Sequence, residues 1–245
     1  MSDKHAGRLI RLAAFGTLSV TLSFSGFAQD VHDHNPAGAK VFLISRDLEM
    51  RLAVNALPKA LREDASILVM EKSGYVPAKS GTNPFTCMVS RRGGNFYPVC
   101  FDREGSRTIM RAFADDGVMR LNGMSNEEVE RKLAEGFAGG KYRPPSRPGI
   151  AYMLSPAIYM LSNGKLKRGT PPHTMFYAPY LTDADVGGIM GKTAFIDRPG
   201  PHGMFIVVAG QKEREAMMTE SQELLNEVDR QVQIGLEESA ALPLR

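Results

Sequence analysis

Side chains capable of chemistry are most concentrated between Pro171 and Asp183. If this segment forms a strand, His173 and Tyr177 lie on the same face, because successive side chains alternate between the two faces. An imidazole and a phenol on one face could line a pocket, bind a polar ligand or transfer a proton. We predict both as candidate catalytic and binding residues. The alternative is a core histidine and tyrosine whose polar atoms bond to the backbone, and we expect His173 to be at least partly structural.

Three further polar side chains are predicted to accompany this pair. Tyr152 and Ser155 belong to a neighbouring predicted strand, and His202 lies in the loop Pro199–Gly203. A site for acid–base or nucleophilic chemistry needs such groups within hydrogen-bond reach of one another. The predicted binding set is Tyr152, Ser155, His173, Tyr177 and His202.

The sequence predicts no metal ion and no cofactor. Asp183 and Asp185 follow Thr182 as acids in the first turn of a helix do. A Ca²⁺ loop would need further oxygen ligands at regular spacing, and none follow. The G-x-S-x-G, H-E-x-x-H and P-loop motifs do not occur in the sequence. Their absence disfavours the common hydrolases but leaves room for a site assembled from distant residues.

The first 28 residues have the three parts of a secretory signal peptide. The positively charged residues are Lys4, Arg8 and Arg11. Residues 12–24 are mostly apolar, and Gly26 and Ala28 are the small residues before a predicted cut at Gln29. The apolar run is short for a membrane anchor. The sequence therefore predicts a soluble periplasmic or extracellular protein with no membrane span after processing.

Residues 29–44 are predicted to form a flexible leader, because they are polar and contain Pro36 and Gly38. A copper site is an alternative there. A chain beginning at Asp30 would have His32 third, where the amine, two amides and the imidazole can bind Cu(II) in a square plane. The predicted cut is one residue earlier and makes His32 fourth, so a solvated leader is the simpler interpretation.

The charge of the mature chain excludes nucleic acid as a predicted partner. The whole chain has a formal charge of +3, of which residues 1–28 contribute +2, so about +1 remains. Binding to phosphate backbones requires a concentrated basic face. The basic cluster Lys141–Arg147 is interrupted by prolines and is typical of a solvated linker.

Cys87 and Cys100 are predicted to form a disulfide, since exported thiols pair in oxidising compartments. Gly93-Gly94 between them suits the positive φ angles of a two-residue hairpin turn. That turn places Arg92 opposite Asn95 and Cys87 opposite Cys100, in a non-hydrogen-bonded pair where side chains approach closely. We expect the two Cα atoms about 4.4–6.8 Å apart. A redox pair is the alternative, but the spacing is not C-x-x-C.

The same register assigns Pro98 a place opposite Val89. In that non-hydrogen-bonded pair the proline nitrogen points away from the partner strand, to the outer side. A proline cannot donate to a further strand there. The sequence therefore predicts a sheet edge or a bulge along residues 96–101.

Apolar periodicity and capping residues predict the remaining elements. The predicted helices follow Ser45, Asp102 and Ser125, and a long amphipathic helix covers residues 213–236 within a C-terminal segment 211–245. The predicted strands are 66–71, 75–78, 150–154, 157–161, 174–177, 193–196 and 204–208. These elements predict an α+β fold in which helices pack on a single antiparallel-rich sheet, with one disulfide-bridged hairpin and a long C-terminal helix.

Residues 45–210 are predicted to form one domain, although Lys141–Gly149 contains three prolines and is the best internal boundary. The C-terminal helix has an apolar stripe of Met217, Leu224, Val228 and Val232. Such a stripe usually packs on the core. The alternative is a homodimer formed along this helix.

Three segments together resemble a group of uncharacterised exported bacterial proteins. They are Gly81–Cys87, Asp102–Arg107 and Pro171–Pro179, and the similarity extends from about Leu48 to Val208. Pro84 departs from the glycine expected in that group, and the C-terminal helix is peculiar to this chain. The resemblance implies an exported bacterial protein and assigns no activity.

These observations favour a non-catalytic protein that binds a small molecule or another component of the cell envelope. The alternative is an exported hydrolase that uses His173 with Tyr177 or a nearby serine. A structural or dimerising envelope protein is the third interpretation.

Overall fold

A computed structural model describes residues 43–92, 95–162, 165–187 and 194–241. All of the described residues belong to one compact unit. The predicted signal peptide, its cut, nearly all of the leader and the copper alternative lie outside the described residues.

The described residues form helices and strands in alternating groups. The helices are α1 (Arg46–Val54), α2 (Arg103–Arg107), α3 (Met110–Leu121), α4 (Asn126–Ala138), α5 (Gln211–Glu220) and α6 (Gln222–Ala241). The strands are β1 (Ser66–Glu71), β2 (Gly74–Lys79), β3 (Thr86–Ser90), β4 (Tyr97–Phe101), β5 (Ile150–Met153), β6 (Tyr159–Ser162), β7 (Lys165–Arg168), β8 (His173–Tyr177), β9 (Ala194–Asp197) and β10 (Met204–Val208).

Eight strands form one sheet in the order β2-β1-β3-β4-β5-β8-β10-β9. All described pairings in it are antiparallel except that of β1 with β3, which is parallel. The predicted α+β, antiparallel-rich class is confirmed. The prediction of a single sheet is incomplete, because β6 and β7 pair as a separate two-stranded sheet. Strand β7 was missed, since Lys-Leu-Lys-Arg lacks the β-branched and aromatic residues typical of strands.

The disulfide hairpin forms in the predicted register. Cys87 pairs with Cys100 across β3 and β4 and is bonded to it. The N–H of Asn95 donates to the carbonyl of Arg92 at 3.0 Å, and the predicted turn residues Gly93 and Gly94 lie outside the described residues. The Cα atoms are 4.0 Å apart, which is shorter than the predicted range. It is also below the separation of about 4.5 Å typical of non-hydrogen-bonded antiparallel pairs.

The sheet edge predicted along residues 96–101 is wrong. Strand β4 lies inside the sheet, between β3 and β5. It pairs with β5 only at Cys100 and Phe101, and Phe96 forms an isolated bridge with Tyr159 of β6. Pro98 lies between these two contacts, so the outer ladder is interrupted where the proline cannot donate.

One face of the sheet is covered by α1 and α6. Leu48 and Leu52 of α1, and Ala56 just after it, are fully buried. They pack in one core with Leu225 and Val228 of α6. Alternation along β1 and β3 places every second side chain in this core.

A buried ion pair also joins α1 to the hairpin. Glu49 accepts from Arg91 at 2.8 Å, and both side chains are essentially inaccessible to solvent. The Arg91 guanidinium also lies 4.0 Å from the ring centroid of Phe96. Burial raises the pKa of Glu49, and the charge of Arg91 opposes that shift.

The other face of the sheet is covered by α2 and α3. Asp102 caps α2 as predicted, accepting from the N–H of Gly105 at 2.9 Å. The helix ends at Arg107, however, and α3 begins only at Met110. Phe113 of α3 then packs edge-on against Phe101 of β4, with ring centroids 5.1 Å apart.

The capping box of Ser125 and Glu128 is confirmed at the start of α4. The C-terminal segment is helical as predicted, but it forms a pair of helices, because α5 and α6 are separated at Ser221. Ser221 is buried and accepts from the amide of Asn55 at 3.1 Å. This bond joins the break between the two helices to Asn55 at the end of α1.

Candidate functional site

His173 lies at the start of β8 and has a structural hydrogen bond. Only 3% of the residue is exposed, and its Nδ1 lies 2.8 Å from the carbonyl oxygen of Pro171. Because a carbonyl only accepts, Nδ1 carries the proton in this contact. Burial lowers the pKa of His173, and the bond to Pro171 opposes that shift. This arrangement has the form of a core histidine that fixes a turn.

Tyr177 ends the same strand and contacts the cap of α2. Its hydroxyl lies 2.9 Å from Oδ1 of Asp102 and 2.9 Å from the carbonyl oxygen of Ile150. Burial, followed by the charge of Asp102, raises the pKa of Tyr177. A Cβ atom at Gly105 would lie only 2.1 Å from the phenol oxygen. The hydroxyl is therefore enclosed by its structural partners.

The two predicted catalytic residues do not form a pair. His173 and Tyr177 are four residues apart on one strand, which corresponds to about 13 Å. A proton cannot pass directly between groups at that separation, because transfer requires hydrogen-bond distance. Both side chains do share one face with Met175, as the sequence predicts.

Tyr152 and Ser155 lie elsewhere, so the predicted five-residue set is not assembled. Tyr152 is paired with Thr174, one residue from His173, and therefore points to the opposite face of the sheet. There it packs against Phe85, with ring centroids 5.6 Å apart. Ser155 is fully buried and donates to Asn55 at 2.6 Å. The alternation of strand residues accounts for this separation.

His202 is the predicted residue that lies in a cleft. The centre of a water molecule can occupy about 10 Å³ of the cleft. This is room for roughly one water or one small polar group. It lies between helices α3 and α4 and two loops of the sheet. Its lining residues are Arg92, Ala112, Phe113, Asp116, Leu133, Phe137, Arg198 and His202.

The imidazole of His202 is held flat but has no hydrogen bond. It stacks on Phe137 of α4, with ring centroids 5.2 Å apart and planes inclined by 9°. Both ring nitrogens are buried, and neither has a hydrogen-bond partner within the described part of the chain. A buried polar group without a partner costs about 1–3 kcal/mol. Such a group in a native protein requires a specific explanation.

Burial and charge make this imidazole hard to protonate. Loss of solvent, followed by the positive charge of Arg92, lowers the pKa of His202 to about 4, while Asp197 opposes the shift. His202 is therefore neutral near neutral pH, with one ring nitrogen as donor and the other as acceptor.

Three ion pairs surround the cleft. Arg92 lies 3.5 Å from Asp197, and Arg198 lies 3.2 Å from Glu130. Asp116 is buried and paired with Arg120 at 2.5 Å on the next turn of α3. Arg92 and Arg198 line the cleft and pair with carboxylates that do not line it. Asp116 is the carboxylate in the lining, and it pairs with Arg120.

The backbone at Arg198 is unusual. Its φ angle is +53°, in the left-handed region that non-glycine residues seldom adopt. Holding such a residue there costs on the order of 1–3 kcal/mol, and strained residues cluster at functional sites. The conformation turns the chain between β9 and β10, so that Arg198 and His202 both line the cleft.

The sequence identified His202 but missed the other polar residues of the cleft. Arg92 follows β3, Asp116 lies inside α3, and Arg198 follows β9. These positions are distant in the sequence and share no motif. The only local signal was Arg198 beside Pro199-Gly200-Pro201, and it does not indicate which side chains meet.

No set of three potential metal-ligating residues occurs among the described residues. The predicted helix after Thr182 is only a short 3₁₀ turn, Ala184–Val186, in which the N–H of Thr182 donates to Asp185 at 2.8 Å. Across the described ranges, no helix has the length and apolar character needed to cross a membrane. No protein-family model, no curated protein and no solved structure matches the chain.

Proposed function

We propose that the protein is an exported, non-catalytic binding protein and that the cleft at His202 receives a polar group of its ligand. The two buried, unpartnered nitrogens of His202 are the observation that supports this proposal. A ligand atom that bonds to one of them would reduce a desolvation penalty that the free protein retains. Stacking on Phe137 orients the imidazole before the ligand arrives. This reduces the entropy lost on binding.

The small volume of the cleft limits what can enter it. About 10 Å³ accommodates one polar group rather than a whole metabolite. The rest of the ligand would therefore lie over the mouth of the cleft, against the adjoining loops. A hydroxyl, or a single oxygen of a carboxylate, phosphate or amide, at the end of a larger molecule fits this description.

Export is part of the proposal. The Cys87–Cys100 disulfide is consistent with an oxidising compartment outside the cytoplasm. The predicted signal peptide and the resemblance to exported bacterial proteins favour the same location. A periplasmic or extracellular location agrees with the disulfide and with these two predictions.

The experiment compares two histidines by substitution with phenylalanine. His202→Phe keeps a ring stacked on Phe137 and removes both unpartnered nitrogens, so stability should stay the same or rise. Binding of compounds that stabilise the wild type in a thermal-shift screen should be lost. His173→Phe is the matched control: it deprives the Pro171 carbonyl of its donor, so stability should fall while binding persists.

The outcomes separate a binding residue from a structural one. A large loss of stability in His202→Phe would contradict the proposal, because it would show that the nitrogens make stabilising bonds. Unchanged ligand binding by a folded His202→Phe variant would contradict it equally.

The two other functions have less support. His173 and Tyr177 bond to structural partners and are too distant for a catalytic pair. The buried residues of α6, including Val228 and Val232, pack in the chain's own core, which leaves less of the helix for a homodimer. We therefore retain the hydrolase and the dimer only as alternatives to be tested.

A further inference from the structure

Two rows of mostly apolar side chains cross four neighbouring strands, β5, β8, β10 and β9, on the side of the sheet where α1 and α6 lie. The strand register sets the residues of each row side by side. In that strand order, the first row is Ile150, Phe176, Phe205 and Ile196, and the second is Tyr152, Thr174, Val207 and Ala194. Both rows lie on one face, because side chains two residues apart on a strand point the same way.

The core under α1 and α6 ends part-way along these rows. Ile150 and Tyr152 pack against that core, whereas Phe176, Phe205 and Val207 belong to none of the hydrophobic cores of the described chain. Phe176 is 44% exposed and Val207 is 38% exposed. They are diagonal neighbours across β8 and β10 and so form one patch. We refer to the part of this face over β8, β10 and β9 as the open sheet face.

The strands of the open sheet face are apolar on both sides. Their opposite side has Met175, Met204 and Ile206, which are buried in the core that includes Phe101. Strands with apolar residues on both sides are typical of a sheet that is covered on both sides, whereas a face that meets water is normally polar. The other exposed large apolar side chains in the described ranges, Tyr180 and Val186, lie on the loop after β8. Exposed apolar residues that are grouped in this way mark an interaction surface.

The charges beside the open sheet face are negative. The four strands and the loop 178–187 contain three aspartates and neither lysine nor arginine. Asp197 pairs with Arg92. Asp183 accepts from the N–H of Ile196 at 3.3 Å, which holds the loop beside β9. Hydrogen bonds within the loop hold the pKa of Asp185 below its usual value, so this exposed carboxylate is charged. Basic residues of a partner would complement these charges.

The open sheet face has the width of one helix. Three strands about 4.8 Å apart are about 14 Å wide, and a helix with its side chains is about 10–12 Å wide. The helices α1 and α6 already cover the adjoining part of the same face, so a further helix would continue that layer. A square of about 14 Å has an area of roughly 200 Å², whereas a stable dimer buries about 800 Å² per partner. A second copy would also bring its own aspartates against these.

We propose that the open sheet face binds an amphipathic helix of a partner protein, and that basic residues flank the apolar stripe of that helix. The apolar stripe covers Phe176 and Val207, and the basic residues lie beside Asp183 and Asp185. Helices of this kind bind apolar surfaces through side chains on one face. This interaction goes beyond ligand binding at His202 and uses a different surface.

The experiment measures the binding of synthetic helical peptides to the full mature protein by fluorescence anisotropy. The probe is a peptide of about 20 residues, with a stripe of leucines and with lysines on both sides of the stripe. We expect it to bind in a saturable manner. One control peptide has glutamate in place of lysine, and another has serine in place of leucine. Each should bind at least about tenfold more weakly. Equal binding of all three peptides, or of none, would overturn the proposal.

Substitutions in the protein locate the binding surface. Phe176→Thr keeps a β-branched residue on the strand and should weaken binding of the leucine–lysine peptide at least about tenfold at an unchanged melting temperature. Val207→Thr is a second variant of the same face, in case the first lowers stability. Wild-type affinity in a folded variant of either kind would overturn the proposal. His202→Phe should bind the peptide as the wild type does, which separates the open sheet face from the cleft.

A further substitution tests the charge of the partner. Asp185→Asn should weaken binding by about threefold, since one exposed ion pair is lost. Glu135→Gln is the matched control, because it removes an exposed carboxylate from α4. Equal affinity of these two variants would overturn the assignment of basic residues to the partner.

Other occupants of the open sheet face would give different results. A dimer of the peptide-free protein that Phe176→Thr dissociates, observed by sedimentation, would assign the face to a second copy. Binding to phosphatidylcholine vesicles that the same substitution abolishes would assign it to a lipid surface. Either result would overturn the choice of a helical partner.

Discussion

Because of His202, the unfolding free energy of the protein should decrease as the pH is lowered. The pKa of this imidazole is lowered from an ordinary 6.5 to about 4 in the folded chain. Above pH 6.5 the group is neutral in the folded and the unfolded states. Between pH 6.5 and 4 the unfolded chain binds a proton that the folded chain does not, so acidification favours unfolding.

The size of the effect follows from the difference between the two pKa values. Each pH unit of difference corresponds to about 1.4 kcal/mol. The fall from 6.5 to about 4 therefore corresponds to a loss of at most about 3.5 kcal/mol of unfolding free energy, which is complete only below pH 4. Against a typical total of about 5–15 kcal/mol, a loss of this size is measurable.

The assay is urea-induced unfolding of the wild type and of His202→Phe at a series of pH values. The difference between the two curves isolates His202, because His173 and Glu49, whose pKa values are also shifted, are present in both proteins. The variant should lose less stability than the wild type on acidification, and the gap should develop between pH 6.5 and 4. Parallel curves would refute the reasoning, since they would show that folding leaves the pKa of His202 unchanged.

Four further outcomes are expected. Alkylation without reductant should label neither Cys87 nor Cys100, and replacing both by serine should lower stability by about 3 kcal/mol; labelling of the oxidised protein would exclude the bridge. Glu49→Gln should cost about 3–5 kcal/mol in urea unfolding, because its buried arginine loses a charged partner, and a cost below 1 kcal/mol would refute that account. Tyr177→Phe should lower the unfolding free energy by about 1–3 kcal/mol and leave ligand binding intact. Lost binding with unchanged stability would instead make Tyr177 a binding residue. Mass spectrometry of the exported protein should give a chain starting at Gln29, and a full-length chain in the membrane fraction would contradict processing.

Local patterns were sufficient to predict much of the fold. The disulfide register followed from Gly93-Gly94 alone, because a two-residue turn fixes every pair of the hairpin. The start of α4 followed from Ser125 and Glu128, whose side chains and backbone groups bond within one turn. In each case the determining interactions lie within a few residues of one another.

Tertiary contacts decided the features that the sequence did not reveal. The break between α5 and α6 occurs at Ser221, whose partner Asn55 is 166 residues away. The cleft likewise joins Arg92, Asp116 and His202 from a hairpin turn, a helix and a distant loop. A single sequence contains no local signal for such encounters, so the strand-based prediction placed the site at His173 and Tyr177 instead.

The central claim is that His202 bonds to a polar group of the ligand. A crystal structure of the exported protein with the compound selected by the thermal-shift screen tests it most directly. The claim predicts a nitrogen or oxygen atom of the ligand within about 2.7–3.2 Å of a ring nitrogen of His202. A ligand bound elsewhere, or one that places only carbon atoms against the imidazole, would contradict it.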